Sequence, residues 1–210
     1  MIEVLRIAAV VVAAYLLGSA PVGYLLGRAW GVNVLEWGSG RTGGTNVLRS
    51  AGVVPALLTG ALDVGKGALA VWMAGWLVPG SFGPMAQVLA GAAVILGHNY
   101  SVFLDFRGGA GVGTSLGALG ALYWPAALAL IGLLLTVILV TRYASVGSLA
   151  VALSMPLVIA GLAMAGELTM TYVAYGLLAA AIVIYAHRPN IQRLLAGNER
   201  RVGDKGQPQH

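Results

Sequence analysis

Arg41 and Arg49 lie in the stretch WGSGRTGGTNVLR, which also carries Gly38, Gly40, Gly43 and Gly44 between long apolar runs. Glycines bare their backbone N–H groups, which can gather into an anion-binding nest. Ser39, Thr45 and Asn46 add short donors, and a guanidinium offers a planar fork that fits phosphate. A helix expected to begin near Asn46 would point its amino end at the same loop. The stretch GHNYSVFLDFRGGAGVGTSL repeats this composition, with His98 and Asn99 ahead of Arg107, Gly108, Gly109 and Gly111. RYASVGS supplies Arg142, Ser145 and Ser148, and YAHRPNIQRL supplies His187 and Asn190. Asp63 and Lys66 share one face of an apolar segment, where charges persist only if paired or solvated. They read either as a neutralising pair or as an extension of a polar cavity toward the loops. His98 reads either as a packing histidine or as a group that orients a loop or a substrate oxygen.

Several other chemistries drop out. Gly38, Gly40 and Gly43 have G-x-G-x-x-G spacing, but no strand precedes them and no βαβ unit surrounds them. Gly60, Gly65 and Lys66 mimic a phosphate-binding P-loop, yet Gly67 stands where that loop needs Ser or Thr. No Ser–His–Asp arrangement emerges, and the absence of cysteine excludes thiolate nucleophiles, disulfides and cysteine-held metals. Three histidines, His98, His187 and His210, are too scattered to suggest a metal centre, and none is expected. The basic residues form no patch interleaved with aromatics, so nucleic acid is not an expected partner. What remains is a reaction whose substrate arrives already activated, with the protein binding, orienting and neutralising phosphate.

The elements that must position these groups are membrane helices. The 210 residues are 59% hydrophobic and 9% charged, against roughly 25% charged in a soluble domain. Stretches near the 20 or so residues that cross a bilayer occur at 4–26, 53–78, 84–104, 144–165 and 170–186. The first continues past Pro21 to Leu26 and reads as a retained span rather than a cleaved leader. Residues 112–140 are long for one crossing and short for two, and Tyr123, Trp124 and Pro125 interrupt them. Treating them as a re-entering pair puts every loop or tail Lys and Arg after Arg28 on one side, leaving Glu167 alone in the opposite loops. The expected fold is therefore all-α and polytopic, with about seven transmembrane helices, the N-terminus outside and the C-terminus cytoplasmic. Residues 1–196 read as one transmembrane domain with cytoplasmic glycine- and arginine-rich loops. Residues 197–210 read as a polar tail after a short surface helix near Ile191–Leu195. Glycine is frequent, and Gly113, Gly117 and Gly120 suit close helix packing.

In order and in combination, these stretches resemble the bacterial acyl-phosphate:glycerol-3-phosphate acyltransferases along nearly the whole chain. GSGRTGGTNVLRSAG is similar to the family's G-S-G-N-x-G-A-T-N-V-x-R, and DVGKG to D-x-x-K-G. GHNYSVFLDFRGGAGVGTSL resembles G-H-x-x-P-x-F-x-x-F-K-G-G-K-G-V-A-T, and RYASVGSL and HRPNIQRLLAG resemble the later motifs. The resemblance implies a seven-span enzyme that moves an acyl chain from acyl phosphate to the 1-hydroxyl of glycerol 3-phosphate. Lysophosphatidic acid and inorganic phosphate are the implied products, in the first acylation of phospholipid synthesis. No cofactor and no protein nucleophile are implied. The implied partners are the two substrates, membrane lipid and acyl-phosphate-forming enzymes, at the bacterial inner membrane with the site facing the cytoplasm.

Carried over residue by residue, the resemblance makes His187, Asn190, Ser145 and His98 the expected catalytic set. Ser39, Gly40, Arg41, Thr45, Asn46, Arg49, Lys66, Arg107, Gly108, Gly109 and Gly111 are the expected phosphate and substrate ligands. The chain departs from the family pattern at Arg41, Gly44, Ser101 and Ala110, the last replacing the second lysine of G-G-K-G. Arg41 is the cation that would compensate from the neighbouring loop. A substrate phosphate oxygen would take the hydroxyl proton, with His187 as the other candidate base or orienter. Two rival readings are a transporter of a phosphorylated solute and a divergent lipid-binding paralogue of low activity.

Overall fold

The computed structural model describes residues 1–204; Lys205 and His210, in the expected polar tail, lie outside the described residues. Ten α-helices run in order: α1 Ile2–Ser19, α2 Val22–Ala29, α3 Gly44–Ala51, α4 Val53–Leu77, α5 Gly83–Asn99, α6 Val112–Leu122, α7 Trp124–Thr141, α8 Ala144–Met164, α9 Thr171–Ala186 and α10 Arg188–Leu195. Large apolar side chains face outward, among them Leu5, Trp76, Leu139 and Leu157, while Asp63 and Lys66 are buried. That inversion is what a bilayer solvent demands, since lipid rewards an apolar skin and penalises an unpaired charge.

Among the described residues, five helical stretches are long and apolar enough to cross a membrane: Ile2–Ala29, Val53–Leu77, Gly80–Asn99, Trp124–Thr141 and Ala144–Met164. The expectation of about seven is thereby corrected. The remaining two candidates are the 11-residue α6 and the 16-residue α9. At 1.5 Å per residue these reach about 16 and 24 Å, short of a core about 30 Å thick. Charge parity along the sequence counts crossings and takes no account of how far each segment reaches.

Three breaks shape the site. Pro21, without an N–H, ends α1, and α2 restarts at Val22. The carbonyls freed there are taken up by side chains: Ser101 Oγ donates to Ser19 O at 2.6 Å and Lys66 Nζ to Ala20 O at 3.3 Å. Gly52, at φ +95°, separates α3 from α4, so the helix expected to run on from Asn46 is instead two. Tyr123 is extended and Pro125 opens α7, which makes residues 112–140 the expected pair of helices.

The packing centres on α5, which touches α1, α4, α6 and α9. Gly97 on α5 meets α1 so closely that a Cβ there would lie 2.1 Å from Tyr15 O. Gly117 does the same for α6 against α4, where a Cβ would lie 1.9 Å from Val64 O. Only glycine permits either approach. Tyr175 of α9 is fully buried, and its hydroxyl donates to Ser115 O at 2.7 Å, pinning α6 near its start.

Candidate active site

A cavity of about 270 Å³ opens between α3, α4, α6, α7, α8 and α10. Four helices begin on its wall. Gly43, Gly44 and Thr45 start α3, Gly111, Val112 and Gly113 start α6, Ala144 and Ser145 start α8, and His187 and Asn190 start α10. No side chain caps any of these amino ends. First-turn N–H groups lack partners within their own helix, and each amino end carries about half a positive charge. Four such ends on one cavity, with Arg41, Arg49 and Arg200 also in its wall, give it backbone and guanidinium groups of the kind that can hold an anion.

The first loop is held by Asn46, which is 2% exposed. Its Nδ2 donates to the carbonyls of Val34, Trp37 and Arg41, and its Oδ1 accepts from Ser39 N–H at 2.9 Å. Asn46 thus shapes the loop, and it lines the cavity together with Ser39, Thr45 and Arg49. Arg49 Nη2 reaches the carbonyls of Arg200 and Arg201, both at 3.3 Å, and its Nε is buried without a partner. Burial lowers the Arg49 pKa from its ordinary value, as does nearby Arg200, and a guanidinium still stays charged. Arg41 donates to Ala186 O. Its pKa is also lowered, first by burial and then by Arg193.

Also in the cavity wall, His187 is 4% exposed and its Nδ1 lies 2.8 Å from Val183 O. A carbonyl only accepts, so Nδ1 carries the proton and Nε2 of the neutral ring keeps its lone pair. Burial holds the His187 pKa below its ordinary 6.5, and Arg41 pushes the same way. The Val183 hydrogen bond and Glu199 oppose that shift. Asn190 Nδ2 donates to Glu199 Oε1 at 2.8 Å, and its buried Oδ1 has no partner. Ser145 Oγ donates to the same Oε1 at 3.0 Å, and Arg193 Nε to Oε2 at 2.7 Å.

Glu199 is the residue that sequence reasoning missed. It lies beyond α10 in what reads as a polar tail. Gly197, at φ +71°, turns the chain back so that the carboxylate is buried against the cavity. The turn is completed where Val202 N–H donates to Arg142 O at 2.7 Å. A glycine just after a helix marks such a reversal, but nothing in the sequence names the destination.

The remaining expected residues divide. His98 and Gly111 line the main cavity, together with Asp63 and Ala110. Gly40, Arg107, Gly108 and Gly109 line a second cavity of about 220 Å³ with Asn99, Tyr100 and Ala186. Arg41 stands in the wall of both. Lys66 lines neither; its ammonium is occupied by Asp63 at 2.9 Å and by Ala20 O. Leu134 and Ile138 of α7 add apolar side chains to the main cavity wall. The arrangement offers groups for phosphate and apolar side chains for a hydrocarbon group in one cavity. Among the described residues no three His, Cys, Asp or Glu side chains gather as a metal-ligand set.

The chain resembles known proteins over the length that builds this site. A family model described as glycerol-3-phosphate acyltransferase matches residues 8–197. A glycerol-3-phosphate acyltransferase of Synechococcus sp. (strain CC9902) is 46% identical over 196 residues, covering 91% of this chain and 93% of the relative. One from Carboxydothermus hydrogenoformans is 39% identical, covering 91% and 94%. The crystal structure of PlsY (YgiH), an integral membrane glycerol 3-phosphate acyltransferase, in its glycerol 3-phosphate form, superposes with a TM-score of 0.83 at 36% identity. It covers 93% of this chain and 94% of that one, and the lysophosphatidic acid form of the same enzyme matches with a TM-score of 0.82. With a family model matched from the first helix to the turn after the last, this polytopic membrane protein belongs to the glycerol-3-phosphate acyltransferase family.

Proposed function

We propose that the protein transfers an acyl chain from acyl phosphate to the 1-hydroxyl of sn-glycerol 3-phosphate, releasing lysophosphatidic acid and inorganic phosphate. The observation that carries this reading is the cavity on which four uncapped helix amino ends meet Arg41 and Arg49, with Leu134 and Ile138 as apolar lining. Both reactants are phosphorylated, and one carries a hydrocarbon chain. Arg49, Ser39 and the first turn of α3 hold one phosphate. Arg107 with Gly108 and Gly109 serves the other, and Arg41 lies between the two groups.

In the reaction the glycerol hydroxyl oxygen bonds to the acyl carbon, and the bond from that carbon to the phosphate oxygen breaks. Phosphate leaves with the electron pair, so no protein nucleophile is required. The hydroxyl proton goes to a substrate phosphate oxygen. His187, neutral and anchored through Nδ1, offers its Nε2 lone pair to orient the hydroxyl. Asn190 and Ser145, both held by Glu199, complete the wall around the reacting groups.

The site faces the cytoplasm of a bacterial plasma membrane. Arg41, Arg49, Arg142, Arg193 and Arg200 cluster around it or on the tail that closes it, which is the charge bias of cytoplasmic surfaces. Acyl-phosphate-forming enzymes supply the donor. The test is product formation by purified protein from acyl phosphate and glycerol 3-phosphate alone. Lysophosphatidic acid and phosphate in equal amounts are expected; solute counterflow in vesicles without acyl transfer would overturn the reading in favour of a transporter.

A further inference from the structure

We propose that Asp63 is a positioning residue for the reaction, acting through His98 on the 108–111 glycine loop, with Lys66 as its charge partner and tether. The proposal rests on the functional reading above. Asp63, Lys66 and His98 are 4%, 6% and 6% exposed. Charges so deeply placed persist only when compensated. The Asp63 carboxylate has Lys66 Nζ at 2.9 Å and His98 Nδ1 at 3.4 Å. Lys66 spends another N–H on Ala20 O, a carbonyl released by the Pro21 break, so it joins α4 to the α1–α2 corner. Asp63 and His98 line the main cavity and Lys66 does not.

From His98 the contacts run directly into the glycine loop. His98 O accepts from Gly109 N–H at 2.9 Å. The imidazole lies so tightly on Gly109 that a Cβ there would fall 2.0 Å from Nε2. Gly108 O then accepts from Thr42 N–H at 3.3 Å, beside Arg41 in the first loop. A carboxylate accepts only, so Asp63 fixes which ring nitrogen donates and thereby the ring plane. Turning that ring would press it into the Gly109 backbone and displace both glycine loops, which form parts of the two cavity walls. The route proposed for the influence of Asp63 is the His98 imidazole, 3.4 Å away.

The experiment is a double-mutant cycle on the full chain in detergent, with kcat/KM and Kd for glycerol 3-phosphate and the thermal midpoint read for each protein. Misplacing a positioned group by about 1 Å loses about 100-fold, so Asp63→Asn and His98→Asn are each expected to lower kcat/KM by about 10- to 100-fold. Together they are expected to lose no more than the worse single variant, because they act on one route. Asp63→Asn/Lys66→Met removes both buried charges. It is expected to keep a near wild-type thermal midpoint and the full kinetic loss of Asp63→Asn. Additive losses in the cycle, or wild-type kcat/KM in the charge-free pair, would overturn the proposal. A KM raised far beyond that of Asp63→Asn in the charge-free pair would return Lys66 to the phosphate ligands. Gly109→Ala perturbs the same route without touching a charge, and wild-type kinetics there would also refute it if Asp63 variants fail to fold. A wild-type chain that forms no product would refute the functional reading instead, and the cycle read in glycerol 3-phosphate Kd would still decide the positioning role.

Discussion

Replacing Glu199 by Gln tests whether the returning tail belongs to the catalytic wall. The carboxylate receives Ser145 Oγ at 3.0 Å, Asn190 Nδ2 at 2.8 Å and Arg193 Nε at 2.7 Å, and its side chain is 5% exposed. Gln keeps the shape but offers one oxygen and one NH2 group. That NH2 must face either Arg193, donor against donor, or the Ser145–Asn190 pair, where the Ser145 hydroxyl can turn to accept but Asn190 Nδ2 meets a donor. A hydrogen bond to a charged group contributes about 1.5–3 kcal/mol, and Arg193 at 27% exposed falls toward the low end through solvent screening. Losing one such bond and misdirecting a second gives about 2–3 kcal/mol. If half or more of that is felt by Asn190 in the transition state, kcat/KM falls by about 10- to 100-fold. The assay is initial-rate product formation on monodisperse enzyme, with thermal unfolding measured alongside. A lowered thermal midpoint with kcat/KM within twofold of wild type would refute the reasoning and leave Glu199 as a brace alone.

Arg49→Ala removes a cavity-wall guanidinium and is expected to reduce kcat/KM by at least about 100-fold, while Arg49→Lys, unable to fork, recovers only part; full activity of either would remove Arg49 from the phosphate site. Arg41→Ala is expected to raise KM for glycerol 3-phosphate, and unchanged kinetics would reject its compensating role for Ala110. His187 has a pKa held below 6.5 by burial, so its stabilising contribution is whole above pH 6.5 and is lost as pH falls through that window. Activity should therefore hold down to about pH 6.5 and decline only below it. His187→Asn with the wild-type rate and pH profile would exclude the ring from the reaction. Gly117→Val must push α6 off α4 at Val64 O, with an expected loss of about 3 kcal/mol or failure to accumulate in membranes; a wild-type thermal midpoint would contradict the packing described.

That the loop residues share one cavity was legible because their signals are local. Ser39, Arg49, Ser145, His187 and Asn190 stand beside glycines, prolines or helix starts, and those features survive in a one-dimensional reading. The break at Tyr123–Pro125 was legible for the same reason. Asn46 was legible as a residue of the cavity wall, which it lines, but not as the brace of its loop, since its bonds to Val34, Trp37 and Arg41 exist only once that loop is folded. Lys66 looked like a phosphate ligand until the Ala20 carbonyl, 46 residues earlier, claimed it. Glu199 sits 54 residues from Ser145, and no periodicity links them. The helix count failed on reach, because apolar composition shows what lipid will accept and not whether 11 residues of α6 are enough to traverse it.

Arg41 is shared between the two cavities, and one guanidinium cannot give its whole field to two dianions at once. If each cavity takes one phosphorylated substrate, whichever arrives first would draw the cation toward itself and weaken the hold on the second. Departure of inorganic phosphate would hand that attraction back. Antagonism between the two occupants would then come from a single side chain.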